Sequence, residues 1–181
     1  MFLRNKHSPF FIGILILMVG VFSCKTEKGP LDKYGPFVKN VIANETGAFR
    51  GFNLGTQPDT VLAKEVSKPT ETDDGYLYYE YPVDSVGSYN LTYTFEEGGL
   101  DEIQSEIFIK DASQTDVVFD LFKNYFDDHY GSSEVDMGYT IWTVKSEKFG
   151  DVRVGLIDKS SDLTTDHAPG KLLVTIYTDK D

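Results

Sequence analysis

Residues 89–109 read YNLTYTFEEGGLDEIQSEIFI, and the fold of the whole chain turns on how this stretch is interpreted. In its first arm Tyr89, Leu91, Tyr93 and Phe95 alternate with Asn90, Thr92, Thr94 and Glu96. Successive side chains of a strand point to opposite faces, so this spacing gathers the aromatic rings on one face and the polar groups on the other. Glu96-Glu97-Gly98-Gly99 supplies a tight turn, after which Ile103, Ile107 and Ile109 oppose Gln104, Glu106 and Lys110. Alternation with one polar face predicts an antiparallel sheet covered on one side only. On this reading Tyr89, Leu91, Tyr93 and Phe95 belong to the core.

Outward from the hairpin the chain repeats a plan. Thr56-Gln57-Pro58-Asp59-Thr60-Val61 and Ser113-Gln114-Thr115-Asp116-Val117-Val118 share a hydroxyl residue, Gln, Asp and Val at the same offsets. A hydroxyl followed three residues later by an acid marks a helix start. The first helix is expected over 57–67, with Val61, Leu62 and Val66 inward and Pro69 stopping it. The second is expected over 114–130, carrying Val118, Leu121, Phe122, Tyr125 and Phe126 at helical spacing and ending at Gly131. Residues 48–54 form a short strand or hairpin arm, 71–75 a turn, and 76–81 a strand ended by Pro82. Strands follow the second helix at 139–145, 151–158 and 171–178, the last two joined by a polar loop. The expected fold is therefore α+β: two tandem α-β-β-β units, about 48–110 and 111–181, forming an antiparallel sheet with helices packed on one face.

With 181 residues, 40% of them hydrophobic and 14% aromatic, the chain can bury a core of ordinary size. Residues 1–9 carry Arg4 and Lys6 and no acid, 10–22 are apolar, and Ser23-Cys24 follows. That order predicts a signal peptide over 1–23, since a membrane-spanning helix would need roughly 20 apolar residues. Cys24 is the only cysteine, and Val21-Phe22-Ser23-Cys24 is similar to a bacterial lipobox. Cys24 is thus the expected lipidation site, and more than one acyl chain would hold the protein on a membrane. Residues 24–47, rich in Lys, Gly, Pro and Asn, are expected to be a lipid-anchored tether with a brief helical turn around 37–42, leaving 48–181 as a single α+β domain. Removal of 1–23 takes away Arg4 and Lys6 and moves the formal charge from −12 to −14. Such a charge disfavours nucleic acid and anionic lipid head groups, whereas a basic protein partner is compatible with it.

Gly55-Thr56 with Val61, the turn Phe95-Glu96-Glu97-Gly98-Gly99-Leu100 and the aromatic Trp142 together resemble the repeat of SmpA/OmlA-type outer-membrane assembly lipoproteins and of tandem β-lactamase-inhibitor-protein-like domains. The Gly-x-Pro that follows the helix in those families is split here: Pro69 lacks its Gly, and Gly131 precedes Ser132-Ser133. The resemblance spans roughly 54–177. It implies a tandem α-β3 fold and a protein-binding or assembly role in the envelope.

No nucleophile elbow, Cys-x-x-Cys, His-Glu-x-x-His or phosphate-binding Gly loop occurs, and only His129 and His167 follow the signal segment. His129 is expected at a helix end, where the dipole and neighbouring acids favour it, and His167 in a solvated loop whose acids lack calcium-loop spacing. No enzyme, metal or cofactor is expected. The aromatics are the better candidates: Tyr76, Tyr78, Phe108, Trp142 and Tyr177 are expected on the sheet face opposite the core. Two readings of that face stand open, a protein-recognition surface or a second small core beneath the tether or a helix. The expected function is a non-catalytic binding or assembly module that meets another envelope protein at the outer membrane. The alternative is a small-ligand carrier or sensor, which calls for an enclosed apolar pocket.

Overall fold

Strands β3 (Gly87–Glu96) and β4 (Gly99–Ile109) form the expected hairpin, with Tyr89 opposite Ile107 and Tyr93 opposite Ile103. Glu97 and Gly98 make the turn, both at positive φ (+51° and +78°). This mirror-image turn matches the twist of paired strands, and its second position suits glycine. The computed structural model describes residues 29–146, 148–163 and 169–178. The expected signal peptide 1–23, Cys24 and His167 lie outside them.

A register shift at Thr94/Phe95 leaves Asp101 as an extra residue on β4. That bulge reverses the alternation, so Leu100 and Ile103, three residues apart, are both buried, while Phe95 at the tip is only partly covered. Ser105 lies on the same inward face with its hydroxyl unpartnered.

The sheet is completed by β1 (Glu71–Asp73), β2 (Tyr76–Val83), β5 (Glu134–Asp136), β6 (Tyr139–Ser146), β7 (Gly150–Asp158) and β8 (Gly170–Thr178). Its order is β1-β2-β3-β4-β8-β7-β6-β5, antiparallel throughout. The last strands of the two halves, β4 and β8, meet at the centre, so two matching units share one sheet. The match is closer in structure than in sequence. Each half opens on a three-residue edge strand, β1 or β5, and the pairs Val83/Gly87 and Ser146/Gly150 each close a three-residue loop. Residues 71–73, expected as part of a turn, pair with β2, and β2 continues past Pro82 to Val83.

Helices α1 (Gly35–Ile42), α2 (Pro58–Lys64) and α3 (Thr115–Tyr130) accompany the sheet. Val118, Phe122, Tyr125 and Phe126 form one buried stripe of α3 against Trp142 and the inward side chains of β7 and β8. The first half departs from expectation. Helix α2 buries Val61 alone; Leu62 is 42% and Val66 85% exposed. It ends at Lys64 because Glu65 takes an extended conformation (ψ 144°) that carries its carboxylate inward to Arg50.

The cover over the first half comes instead from α1 and the 3-10 turn Pro30–Tyr34 that precedes it. Leu31, Tyr34, Phe37, Val38, Val41 and Ile42 are all buried, and Phe37 sits against Gly87. The expected tether over 24–47 is therefore corrected: between Leu31 and Ile42 this segment contributes six side chains to the core, while 43–47 are exposed. Polar and Gly-Pro composition suggested a linker, but the apolar positions between Tyr34 and Ile42 lie at helical spacing, and that stripe decides their burial.

Arg50 ties α1, α2 and the sheet together. It occupies the two-residue turn between Phe49 and Phe52 at φ +52°. Its Nε and Nη2 donate to the two oxygens of Glu65 at 3.0 and 2.9 Å, and Nη1 donates to the Asn40 and Val41 carbonyls at 2.7 and 2.8 Å. Those carbonyls belong to the last turn of α1, where a cation is favoured. Glu65 also accepts from the Tyr81 and Tyr93 hydroxyls. Burial opposes ionisation of Glu65, yet the bonds and charge of Arg50, aided by the two phenols, hold its carboxyl below the ordinary value.

Two outcomes test this arrangement. Ile42→Ala is expected to cost about 2–5 kcal/mol in urea unfolding, whereas a tether residue would cost nothing. Glu65→Gln leaves Arg50 buried without its counter-charge and is expected to cost about 3–5 kcal/mol at pH 7. Since the folded-state value of Glu65 is depressed, its contribution is complete above the unfolded carboxylate range and is lost as pH falls through the folded value. The gap between parent and variant should therefore narrow below about pH 4.5.

Candidate binding surface

The second face of the sheet is built by the residues that alternate with the core. One transverse row crosses all eight strands: Glu71, Tyr78, Thr92, Gln104, Thr175, Gly155, Ile141 and Glu134. The described helices pack on the opposite face. Residues 31–42 do so too, so that segment does not cover this side.

Four of the five expected surface aromatics lie here. Tyr76, Tyr78, Phe108 and Tyr177 are all partly exposed. They share a face without forming one patch. Tyr76 and Tyr78 stand near the β1 edge, Tyr177 on central strand β8, and Phe108 toward the far end of β4. β2 and β8 are separated by three strand spacings, roughly 14 Å.

Trp142 is a correction. It is fully buried on the helix side, where its indole Nε1 donates to Asp127 at 2.9 Å and its ring lies 5.1 Å from that of Phe126. Register explains the reversal. Trp142 pairs with Val154, an inward residue of β7, so Thr140, Trp142 and Val144 take the core side and Tyr139, Ile141 and Thr143 take the open side.

The two halves of the open face differ in chemistry. On the β5–β8 side, Ile141 and Thr175 are nearly covered, and the Thr175 hydroxyl together with the Tyr139 ring crowds Gly155, the hydroxyl leaving no room there for a Cβ. On the β1–β4 side, Tyr76, Tyr78, Glu71, Glu80, Thr92, Thr94 and Gly75 line an open groove of about 530 Å³. Tyr78 donates to Glu80 at 3.1 Å, and the Tyr76 hydroxyl is 3.5 Å from Glu71. Burial, the bond to Glu80 and the negative field of Glu80, Glu106 and Glu71 push the Tyr78 phenol up to about 12. Glu80 was legible as a neighbour of these rings, because it shares the alternation of Tyr76 and Tyr78. Nothing local placed Glu71 across the hairpin.

The histidine considered for catalysis is held structurally. His129 Nδ1 donates to the Tyr125 carbonyl one turn back at 2.8 Å, and Nε2 is 3.1 Å from Glu45. Its neighbour Asp128 accepts from Lys33 and Tyr34. Among the described residues no group of three His, Cys, Asp or Glu side chains is arranged to hold a metal.

Trp142→Phe removes a buried hydrogen bond and leaves Asp127 short of a donor. It is expected to lower stability by about 1–3 kcal/mol, which thermal unfolding would check. No protein-family model, no curated protein and no solved structure matches the chain.

Proposed function

We propose that this chain is a lipid-anchored cell-envelope protein, attached to the outer membrane through Cys24, that binds another envelope protein without catalysis. The observation that carries the binding reading is a sheet eight strands wide with its core on one side and partly exposed aromatic rings on the other. Aromatic side chains on rigid strands bury large areas at little conformational cost, and they dominate interface energetics.

The anchor reading rests on the basic start, the apolar run and the lone cysteine after it. The non-catalytic reading is supported by the engagement of His129 with Tyr125 and Glu45. Kinship with the SmpA/OmlA-type lipoproteins and the β-lactamase-inhibitor-protein-like domains accords with the paired units of one sheet, and it would place the chain among assembly factors.

A second reading, a small-ligand carrier or sensor, draws on a groove of about 700 Å³ whose lining includes Leu31, Asn40, Arg50, Tyr81 and Tyr89. Occupancy there would shield Val66 and Pro82, not the open sheet face.

Site-specific photocross-linking in living cells separates these. Benzoylphenylalanine placed at Tyr76, Phe108 or Tyr177 is expected to capture one common protein, and the same probe at Asp116 or Asp120 on α3 is expected to capture none. Capture from α3 alone, or none from the sheet, overturns the binding-face proposal. Cys24→Ala is expected to release the protein from the membrane fraction, and retention there overturns the anchor.

A further inference from the structure

Three times among the described residues an aromatic ring and a carboxylate share a basic side chain. Lys33 lies 4.4 Å from the centroid of the Tyr34 ring and 2.9 Å from Asp128. Arg50 lies over Tyr81 and Tyr89, 5.6 and 5.9 Å from the ring centroids, with Glu65 as counter-charge. Lys171 lies 5.5 Å from the centroid of Phe108 and 2.5 Å from Glu106. In each case the ring quadrupole and the carboxylate attract the same cation from two directions. The groove beside β1 has the same ingredients: two tyrosine rings two residues apart on β2, Glu71 directly opposite Tyr78, and Glu80 bonded to the Tyr78 hydroxyl. Its lining contains two carboxylates and no basic side chain.

We infer that this groove is a docking site for a basic side chain, arginine above all, presented by an extended segment of the protein partner. The inference rests on the open-face reading above and narrows it to a partner of stated chemistry. Charge complementarity supplies the direction, because a chain of net charge −12 attracts cationic segments from solution. The rings supply the position. Arginine suits the geometry better than lysine, since its planar guanidinium stacks on a phenol while donating sideways to carboxylates. The site is also shallow, formed on strands whose backbone is held by pairing on both sides of β2, so the partner meets a surface that needs no rearrangement.

The test is calorimetric titration of the full chain with acetyl-tetraarginine amide and with its uncharged citrulline counterpart. The arginine peptide is expected to bind one per chain and the citrulline peptide not to bind. Glu71→Gln with Glu80→Gln is expected to weaken binding by at least about fivefold, since two charge-assisted contacts are lost. Tyr78→Leu is expected to weaken it about two- to fivefold. Asp116→Asn with Asp120→Asn, on exposed positions of α3, removes the same charge elsewhere and is expected to change affinity less than about twofold. Equal loss in the two double variants would reveal unlocalised charge attraction and overturn the site. So would absence of arginine binding, or equal binding of citrulline. If cross-linking from Phe108 and Tyr177 persists in any of those cases, the open face still binds a protein and only its cationic character is wrong. If that cross-linking is also absent, the wider reading falls with it.

Discussion

A guanidinium buried in a low-dielectric interior must have nearly every donor engaged, and that requirement on Arg50 organises the first half of this protein. Its partners come from four places in the chain: the Asn40 and Val41 carbonyls of α1, Glu65 beyond α2, and the rings of Tyr81 and Tyr89 on adjacent strands. Each is separately costly to bury and becomes tolerable only when all are assembled. The cluster therefore works less as a source of net stability than as a specification. It dictates where α1 ends against the sheet, and it pulls Glu65 out of helical conformation so that α2 stops after seven residues. A residue at φ +52° is tolerated at Arg50 because the surroundings over-determine it.

The second half reaches the same architecture by a different route. There α3 runs sixteen residues and covers its strands with a hydrophobic stripe, and Trp142 donates to Asp127 from within that core. Because β4 and β8 pair along their length, the two halves share one continuous core, from Leu31 and Val38 through Leu91, Ile103 and Val174 to Phe126. The division of labour has a consequence for function. With every described helix on one side, the other face carries no described helix across its eight strands and is set by strand register.

That face is chemically divided along the seam between the halves. Toward β5 it is nearly closed by Tyr139 over Gly155 and by the packed side chains of Ile141 and Thr175. Toward β1 it is grooved, aromatic and acidic. The short edge strands at both ends, Glu-Thr-Asp and Glu-Val-Asp, are three residues long and flanked by acids, which discourages edge-to-edge association with another copy. The proposed recognition would therefore use the face, whose asymmetry would set one orientation for a partner.

The hairpin, the helix starts and the recurrence of Gln-x-Asp-x-Val were legible because period and turn chemistry are local properties. Tyr89, Leu91, Tyr93, Ile103 and Phe122 could be assigned to the core from spacing alone, and with them the α+β class and the two-unit plan. Other features depend on partners distant in sequence. In residues 139–146 both alternating sets are mixed, Tyr139, Ile141 and Thr143 against Thr140, Trp142 and Val144, so periodicity could not choose between them. Pairing with Val154 and the bond to Asp127 chose. Composition described residues 24–47 as a tether with a brief helical turn around 37–42, and packing against the sheet drew Phe37, Val41 and Ile42 inside. Glu71 joined Tyr78 because β1 folds back on β2, across a turn with no alternating pattern of its own. The sequence by itself thus determined the elements and the inward face of the central hairpin, since those follow from side-chain period. The tertiary structure decided which helix covers which half, which face Trp142 joins and which carboxylates stand beside Tyr78, since each requires groups brought together by pairing and burial.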